Sequence, residues 1–211
     1  GDKNNNFIGA FQKSEFCFAG KDQVKVLLVE TKNIKYLKKV KSLIRTFINK
    51  GKHSIHSTDT IEETWRNATS VFHQPTINFL NKSKLGSFHD QNIRRLINQT
   101  KMVMKLNEID KEDYCIGGSA ILNIYGLREC NDFDILHYPT EKPLKPTNKV
   151  SSHNGYLNFY DSNLKQMVYD PSKYIYVDGL KFLDIEEILR MKKNRMEQKD
   201  LDDVKLIKNL N

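Results

Sequence analysis

The stretch that decides the fold is CIGGSAILNIYGLRECNDFDIL, residues 115–136. Tyr114 to Ile116 forms a short apolar run, which predicts a strand leading into Gly117-Gly118-Ser119. A helical stretch then runs to Tyr125, and the residues from Asp132 to His137 alternate in polarity as a second strand. The stretch therefore predicts a strand, a glycine turn, a helix and a strand in that order.

Two carboxylates stand at the start of the second predicted strand. Residues i and i+2 of a strand point to the same face, so Asp132 and Asp134 project together. Two such carboxylates repel each other unless a divalent cation lies between them, and hard oxygen ligands suit Mg²⁺ or Mn²⁺. The alternative is a polar strand end that faces solvent.

The glycine turn supplies a second element of the predicted site. Gly117 and Gly118 allow close backbone approach, and the N–H groups at the helix start beside Ser119 can cradle phosphate. A metal pair beside a phosphate cradle is typical of phosphoryl or nucleotidyl transfer.

These residues resemble the nucleotidyltransferase superfamily that includes DNA polymerase beta. Its motif is a hydrophobic residue, Gly-Gly or Gly-Ser, a spacer, and Asp-hydrophobic-Asp, and the thirteen residues from Ser119 to Asn131 fit that spacer. The tail EEILRMKKNRMEQKDLDDVKLI, residues 186–207, resembles the closing helices of minimal and abortive-infection toxin nucleotidyltransferases. The matching charged positions of this tail are Lys192, Arg195, Lys199, Asp200 and Asp203. The resemblance covers about residues 112–211, and residues 1–110 show none.

The resemblance implies a Mg²⁺-dependent (or Mn²⁺-dependent) enzyme that moves a nucleotidyl group from a nucleoside triphosphate to an acceptor hydroxyl. Asp132 and Asp134 would hold the metal, and the implied nucleotide-binding residues are Gly117, Gly118, Ser119, Arg128 and Lys192. A nucleic acid, a protein or a sugar would suit the same carboxylates as acceptor. The alternative function is a catalytically degenerate module of the same fold that binds nucleotide, nucleic acid or a protein partner.

The family also implies a third catalytic carboxylate on a later strand. Asp161, Asp170 and Asp178 are the candidates. Asp170 is preferred because it ends a predicted strand, Gln166 to Tyr169, whereas the other two lie in predicted turns.

Structural roles compete for the charged candidates. Arg128 either contacts a triphosphate or pairs with Glu129 or Asp132 on the surface. Asp200 and Asp203, one helical turn apart, can pair with Lys199 and Arg195 instead of taking part in chemistry.

The net charge of +8 is placed unevenly along the 211 residues. Residues 1–110 carry 19 Lys and Arg against 10 Asp and Glu, and residues 111–211 carry 15 against 16. A basic half indicates a polyanion partner such as nucleic acid, with Lys35, Lys38, Lys39 and Lys41 as its predicted contact face and Lys25 nearby. The alternative is a compositional bias towards Lys.

The remaining patterns predict an α+β fold with a mixed sheet in residues 111–211, after a basic βα-rich region in residues 1–110. In the first half, strands are predicted from Val24 to Glu30 and from Ser54 to Ser57. One helix is predicted to start at Ile34, a second to contain Trp65, which is predicted to lie in the core, and a third to run from Asp90 to Leu106. In the second half the pattern predicts a loop over 139–154, a hairpin of Leu157 to Tyr160 with Lys165 to Tyr169, a strand from Tyr174 to Val177, and closing helices Ile185 to Met196 and Leu201 to Leu210.

Composition excludes several protein classes. With 38% hydrophobic residues the chain can fill a core, and no apolar run is long enough for a transmembrane helix. Cys17, Cys115 and Cys130 form no CxxC pair, so we expect free thiols in a reducing, cytoplasmic setting and no membrane partner. The leading Gly-Asp suggests a piece of a longer chain.

Overall fold

A computed structural model of the chain describes residues 8–18, 24–84, 91–139 and 143–210. The protein is mixed α+β, as predicted, and divides into two units, Gly1–Val71 and Phe72–Asn211. The boundary lies earlier than the predicted division at residue 110, because helix α5 (Gln91–Leu106) buries Ile93, Leu96 and Ile97 in the core of the second unit.

The first unit is helical in its described residues. Its helices are α1 (Ile8–Phe18), α2 (Ile34–Ile48) and α3 (Ile61–Phe72), and a 3-10 turn, Gly51–His53, follows α2. Helix α2 starts where predicted because the Asn33 side chain accepts hydrogen bonds from the backbone N–H groups of Lys35 and Tyr36.

Three predictions for this unit are wrong. Among the residues that the structure describes, Val24 to Glu30 and Ser54 to Ser57 pair with no strand, and the apolar run at 24–30 is exposed. Trp65 was predicted in the core but is 67% exposed on α3. Among the side chains that the structure describes in the first unit, none is buried. The helical spacing of apolar residues therefore gave a wrong prediction for Trp65, because periodicity does not specify what packs against a helix face.

The second unit is built on one five-stranded sheet. The strands are β1 (Tyr114–Gly117), β2 (Phe133–His137), β3 (Val150–Ser152), β4 (Tyr174–Val177) and β5 (Leu180–Leu183). Their order is β3-β2-β1-β5-β4, with β1 antiparallel to β2 and parallel to β5. Strand β2 is parallel to β3, and β4 is antiparallel to β5. The central strand β1 is buried at all four residues, which explains its unbroken apolar run.

Helices cover this sheet and close the chain. They are α4 (Gln74–Lys82), α5, α6 (Ser119–Ile124), α7 (Leu164–Tyr169), α8 (Ile185–Arg195) and α9 (Gln198–Lys208). The predictions for β1, α6, β2, β4 and the two closing helices agree with these bounds to within a few residues. The predicted start of α5 at Asp90 lies outside the described residues. Within the described ranges, no helix is both long and apolar enough to cross a membrane.

The segment between β2 and β4 differs from prediction. The predicted hairpin is instead a 3-10 helix, Asn154–Phe159, followed by α7. Asn163 decides this outcome: its side chain accepts a hydrogen bond from the Gln166 backbone N–H, and Gln166 Oε1 accepts one from the Asn163 N–H. This reciprocal capping starts a helix where the sequence had suggested a turn. Strand β3 forms inside the predicted loop 139–154 by pairing with β2.

Candidate functional site

The glycine turn and Asp134 meet at one end of the sheet. The β1–β2 register pairs Gly117 with Asp134. Gly118 follows with φ +60° and ψ −144°, and a Cβ atom built there would collide with the Asp134 carboxylate. A Cβ on Gly117 would lie 3.2 Å from the Tyr160 hydroxyl oxygen. Gly118 therefore requires glycine for its conformation and its close approach to Asp134, whereas a Cβ at Gly117 would require the Tyr160 hydroxyl to shift by a few tenths of an ångström.

Asp134 and Asp132 differ in their surroundings. Asp134 lies within β2 with 25% of its side chain exposed, whereas Asp132 is exposed in the bend that precedes the strand. Burial alone would raise the pKa of the Asp134 carboxyl, but the His153 ring, Arg195 and Lys199 hold that pKa below its ordinary value. Asp134 is therefore an ionised carboxylate at neutral pH.

His153 is the contact of Asp134 that sequence reasoning missed. Its Nδ1 lies 3.7 Å from Asp134 Oδ1, and its side chain is only 5% exposed. The His153 backbone N–H donates to the Ile135 carbonyl at 2.8 Å, which brings the residue after β3 alongside β2. The ring stacks on Tyr156 with 4.6 Å between centroids. Because β3 lay inside a predicted loop, no pattern in the sequence pointed to this contact.

Asp170 does not join the other two carboxylates. It is the C-terminal cap of α7, not the end of a strand, and its carboxylate accepts hydrogen bonds from the Ser172 backbone N–H and hydroxyl. It precedes β4, which is three strands from β2 in the sheet, or about 14 Å at the usual strand spacing. The structure thus contradicts its prediction as the third catalytic carboxylate.

The other two candidates form hydrogen bonds with residues outside the predicted site. Asp178 lies in the β4–β5 turn, at the end of the sheet opposite Gly117, and accepts a hydrogen bond from Lys101 Nζ at 3.1 Å. Asp161 accepts a hydrogen bond from Asn194 Nδ2 at 2.8 Å. Among the residues that the structure describes, no three His, Cys, Asp or Glu side chains are grouped closely enough to hold a metal ion.

Lys192 and Arg128, both predicted to bind nucleotide, are held in ion pairs. Lys192 Nζ lies 2.9 Å from Asp200 Oδ1 and 2.7 Å from Asp203 Oδ2, with all three side chains at most 3% exposed. The Arg128 guanidinium donates two hydrogen bonds to Asp203, at 2.6 and 2.8 Å. Arg128 therefore forms its ion pair with Asp203 rather than with the Glu129 or Asp132 carboxylate, and its Nη1 also donates a hydrogen bond to the Glu129 carbonyl oxygen at 2.8 Å.

The closing Asp residues form ion pairs in the same cluster, and one of the two predicted partners, Arg195, is among them. Arg195 donates two hydrogen bonds of 2.8 Å to Asp200. Asp203 pairs with Arg128 and Lys192, and Lys199 pairs instead with Glu197 at 3.1 Å. These contacts join α8 to α9 and tie both helices to the loop before β2.

Ser119 opens α6 directly after the turn. Gly118, the N-terminal cap of this helix, contributes no side-chain hydrogen bond to its first N–H groups. Ser119 is half-buried, one residue beyond the Gly118–Asp134 contact. Of the predicted site residues, the structure brings together Gly117, Gly118, Ser119 and Asp134, with Asp132 at the edge.

Comparisons of the chain with protein-family models, with curated proteins and with solved structures found no match. The family resemblance therefore rests on the motif residues themselves.

Proposed function

We propose that the second unit, Phe72–Asn211, is a nucleotidyltransferase that binds a nucleoside triphosphate as its Mg²⁺ or Mn²⁺ complex and transfers a nucleotidyl group to an acceptor hydroxyl. The observation that carries this proposal is the packing of the Asp134 carboxylate against the Gly118 backbone. That contact supports the proposal because it holds an ionised carboxylate beside a turn whose backbone a ligand can approach closely.

Each site residue has a distinct role in the proposal. Asp132 and Asp134 hold the divalent cation, since one or two carboxylates together with substrate phosphates are a common Mg²⁺ environment. When bound, the cation neutralises charge on the phosphates and polarises the phosphoryl group under attack. The backbone at Gly118 and Ser119 binds phosphate oxygens.

A catalytically degenerate module is the second candidate, and a specific observation favours it. Asp170 lies across the sheet from Asp134, and both Lys192 and Arg128 are taken up by ion pairs. A site without a third carboxylate can still bind a metal–nucleotide complex while lacking the group that would polarise an acceptor hydroxyl. Such a module would bind the metal–nucleotide complex as the proposed enzyme does, but it would not transfer the nucleotidyl group to an acceptor.

A nucleic-acid acceptor is supported by charge on the first unit. Gly1–Val71 carries 13 Lys and Arg against 7 Asp and Glu. Lys35, Lys38 and Lys39 are exposed on α2 within an arc of about 100° at 100° per residue. Lys41, predicted on the same face, instead lies 3.4 Å from the Ser57 carbonyl oxygen. The free cysteines of the two units, Cys17 in the first and Cys115 and Cys130 in the second, support a reducing, cytoplasmic location for the protein.

Thermal unfolding tests the binding step. A ligand present at 100 times its Kd stabilises the folded state by about 2.7 kcal/mol, so Mg²⁺ with a non-hydrolysable triphosphate should raise the Tm by several degrees. Asp132→Asn with Asp134→Asn should abolish that rise. Asp170→Asn, which removes one charge outside the site, is the matched control and should keep it. Equal rises in the wild type and the double variant would reject Asp132 and Asp134 as the site.

A transfer assay separates the two candidates. Incubation with an α-labelled triphosphate and RNA, protein or sugar acceptors should label an acceptor if the unit is an enzyme. Binding without any labelled product, with each of the four nucleotides and with Mg²⁺ or Mn²⁺, would select the degenerate module.

A further inference from the structure

Helix α2 exposes a narrow strip of apolar side chains. Its three most exposed apolar residues are Tyr36, Leu43 and Phe47, and Phe47 is 92% exposed. At 100° and 1.5 Å per residue they fall within an arc of about 40° and extend over about 16 Å of the helix. Because two of the three are aromatic, this exposed strip presents two ring surfaces to solvent.

Lysine side chains lie directly beside the exposed strip. Residues three or four apart are neighbours on a helix surface, so Lys39 adjoins both Tyr36 and Leu43, and Lys35 lies one turn before Lys39. Residues 31–58, which include the whole of α2, contain eight Lys and Arg and no Asp or Glu. The strip therefore joins aromatic rings to positive charge that no carboxylate within this segment balances.

This combination suits a single-stranded nucleic acid. Lysines bind the phosphates, aromatic rings stack on the bases, and a single strand leaves its bases free to stack, whereas a duplex does not. We propose that the nucleic acid bound by α2 is single-stranded, with bases stacked on Tyr36 and Phe47 and phosphates bound by Lys35 and Lys39. The inference rests on the proposed function, since it specifies the form of the nucleic-acid acceptor.

The same observations disfavour a lipid surface or a second copy of the chain as the occupant. A helix that buries one face against either of them has an apolar stripe at least about 100° wide, whereas the exposed strip covers about 40°. The neighbouring apolar side chains of α2, Leu37, Val40 and Ile44, are already half-buried. A second copy would also bring two basic segments together, and their like charges repel.

An abasic oligonucleotide separates base stacking from charge. It carries the same phosphates as an oligo(dT) strand of equal length but has no bases. Fluorescence anisotropy with the full chain should show the abasic strand binding at least about tenfold more weakly than oligo(dT). This comparison uses the unaltered protein, so it does not depend on how any variant folds. Equal affinities for the two strands would overturn the inference.

Tyr36→Leu with Phe47→Leu removes both rings while keeping apolar side chains of high helix propensity. The affinity for oligo(dT) should fall by about tenfold or more. The log–log slope of affinity against salt should not change, because every lysine remains. Leu43→Ala, on the same face of α2, is the matched control and should bind within about twofold of the wild type. Unchanged affinity in the folded double variant would show that the rings do not stack on bases.

Two further outcomes would identify another occupant and overturn the inference. One is binding to vesicles of phosphatidylserine and phosphatidylcholine without binding to oligo(dT). The other is a dimer of the chain that does not bind oligo(dT). The proposed function is tested separately by the rise in Tm with Mg²⁺ and triphosphate, which depends on Asp132 and Asp134 in the second unit. Loss of strand binding with that rise intact would reject only the role of α2, whereas strand binding without the rise would reject the nucleotide site.

Discussion

Lys192 and Asp203 form an ion pair in the interior of the second unit, with 2.7 Å between Nζ and Oδ2 and only 3% of either side chain exposed. The pair lies within a cluster that also contains Asp200, Arg195 and Arg128. Removal of one partner from a buried ion pair leaves an uncompensated charge, whose desolvation is expensive. The cluster is therefore a structural element that fixes α8 and α9 to each other and to the loop before β2.

Lys192→Met should lower the free energy of unfolding by about 3 kcal/mol, because Asp200 and Asp203 each lose a buried cation. Urea denaturation measures the change. Lys199→Met is the control: Lys199 is 66% exposed and pairs with Glu197 at the surface, so it should change stability by less than about 1 kcal/mol. Similar losses in the two variants would contradict the structural role assigned to Lys192.

Acid should destabilise the protein through the same cluster. Burial acts to raise the pKa of Asp200, but the ion pairs with Arg195 and Lys192 outweigh it and lower the pKa to about 2. In the unfolded chain an Asp titrates near about 3.9, so the unfolded state binds the proton more readily. The stabilisation is complete above that value and is lost as the pH falls towards 2. The pKa of the Asp203 carboxyl is lowered as well.

The pH dependence can be assigned by substitution. Asp200→Asn cannot titrate, so its free energy of unfolding should fall less steeply than that of the wild type between about pH 5 and pH 2. Chemical denaturation at a series of pH values gives both slopes. Parallel slopes would show that Asp200 is not the source of the acid sensitivity.

Gly118→Ala should disrupt both stability and the candidate site. The new Cβ meets the Asp134 carboxylate and must adopt φ +60°, so we expect a loss of about 2 kcal/mol in the free energy of unfolding. The rise in Tm with Mg²⁺ and triphosphate should also disappear. Gly155→Ala is the matched control, since its Cβ meets nothing within 4 Å, and it should keep both properties. A well-tolerated Gly118→Ala would show that the close approach to Asp134 is not required.

Lys38→Glu with Lys39→Glu should weaken nucleic-acid binding without changing nucleotide affinity. Each phosphate contact releases counterions, so the log–log slope of affinity against salt should flatten by about 0.7 per lost contact on single strands. Fluorescence anisotropy with labelled RNA at several salt concentrations measures both quantities. Lys165→Glu with Lys193→Glu reverses two exposed charges in the second unit and should retain the wild-type slope. Absence of RNA or DNA binding at low salt would instead favour a protein or sugar acceptor.

Local sequence determined the elements that carry their own signals. The apolar run before Gly117, the alternation after Asp132 and the Asn33 cap predicted β1, β2 and the start of α2, because each depends on residues within a few positions of one another. The contact between Gly118 and Asp134 could also be expected, because the glycine turn and the next strand lie close together along the chain.

Tertiary structure alone decided which polar groups meet. His153 reaches Asp134 through the pairing of β3 with β2, and Lys192 is neutralised by Asp203 from the following helix. Asp170 is separated from the site because β5 and β1 lie between β4 and β2. Strand order and burial depend on long-range packing, and neither the spacing of residues along the chain nor their type specifies them. For that reason the sequence by itself predicted the glycine turn and the Asp134 carboxylate, whereas the tertiary structure determined which residues lie next to them.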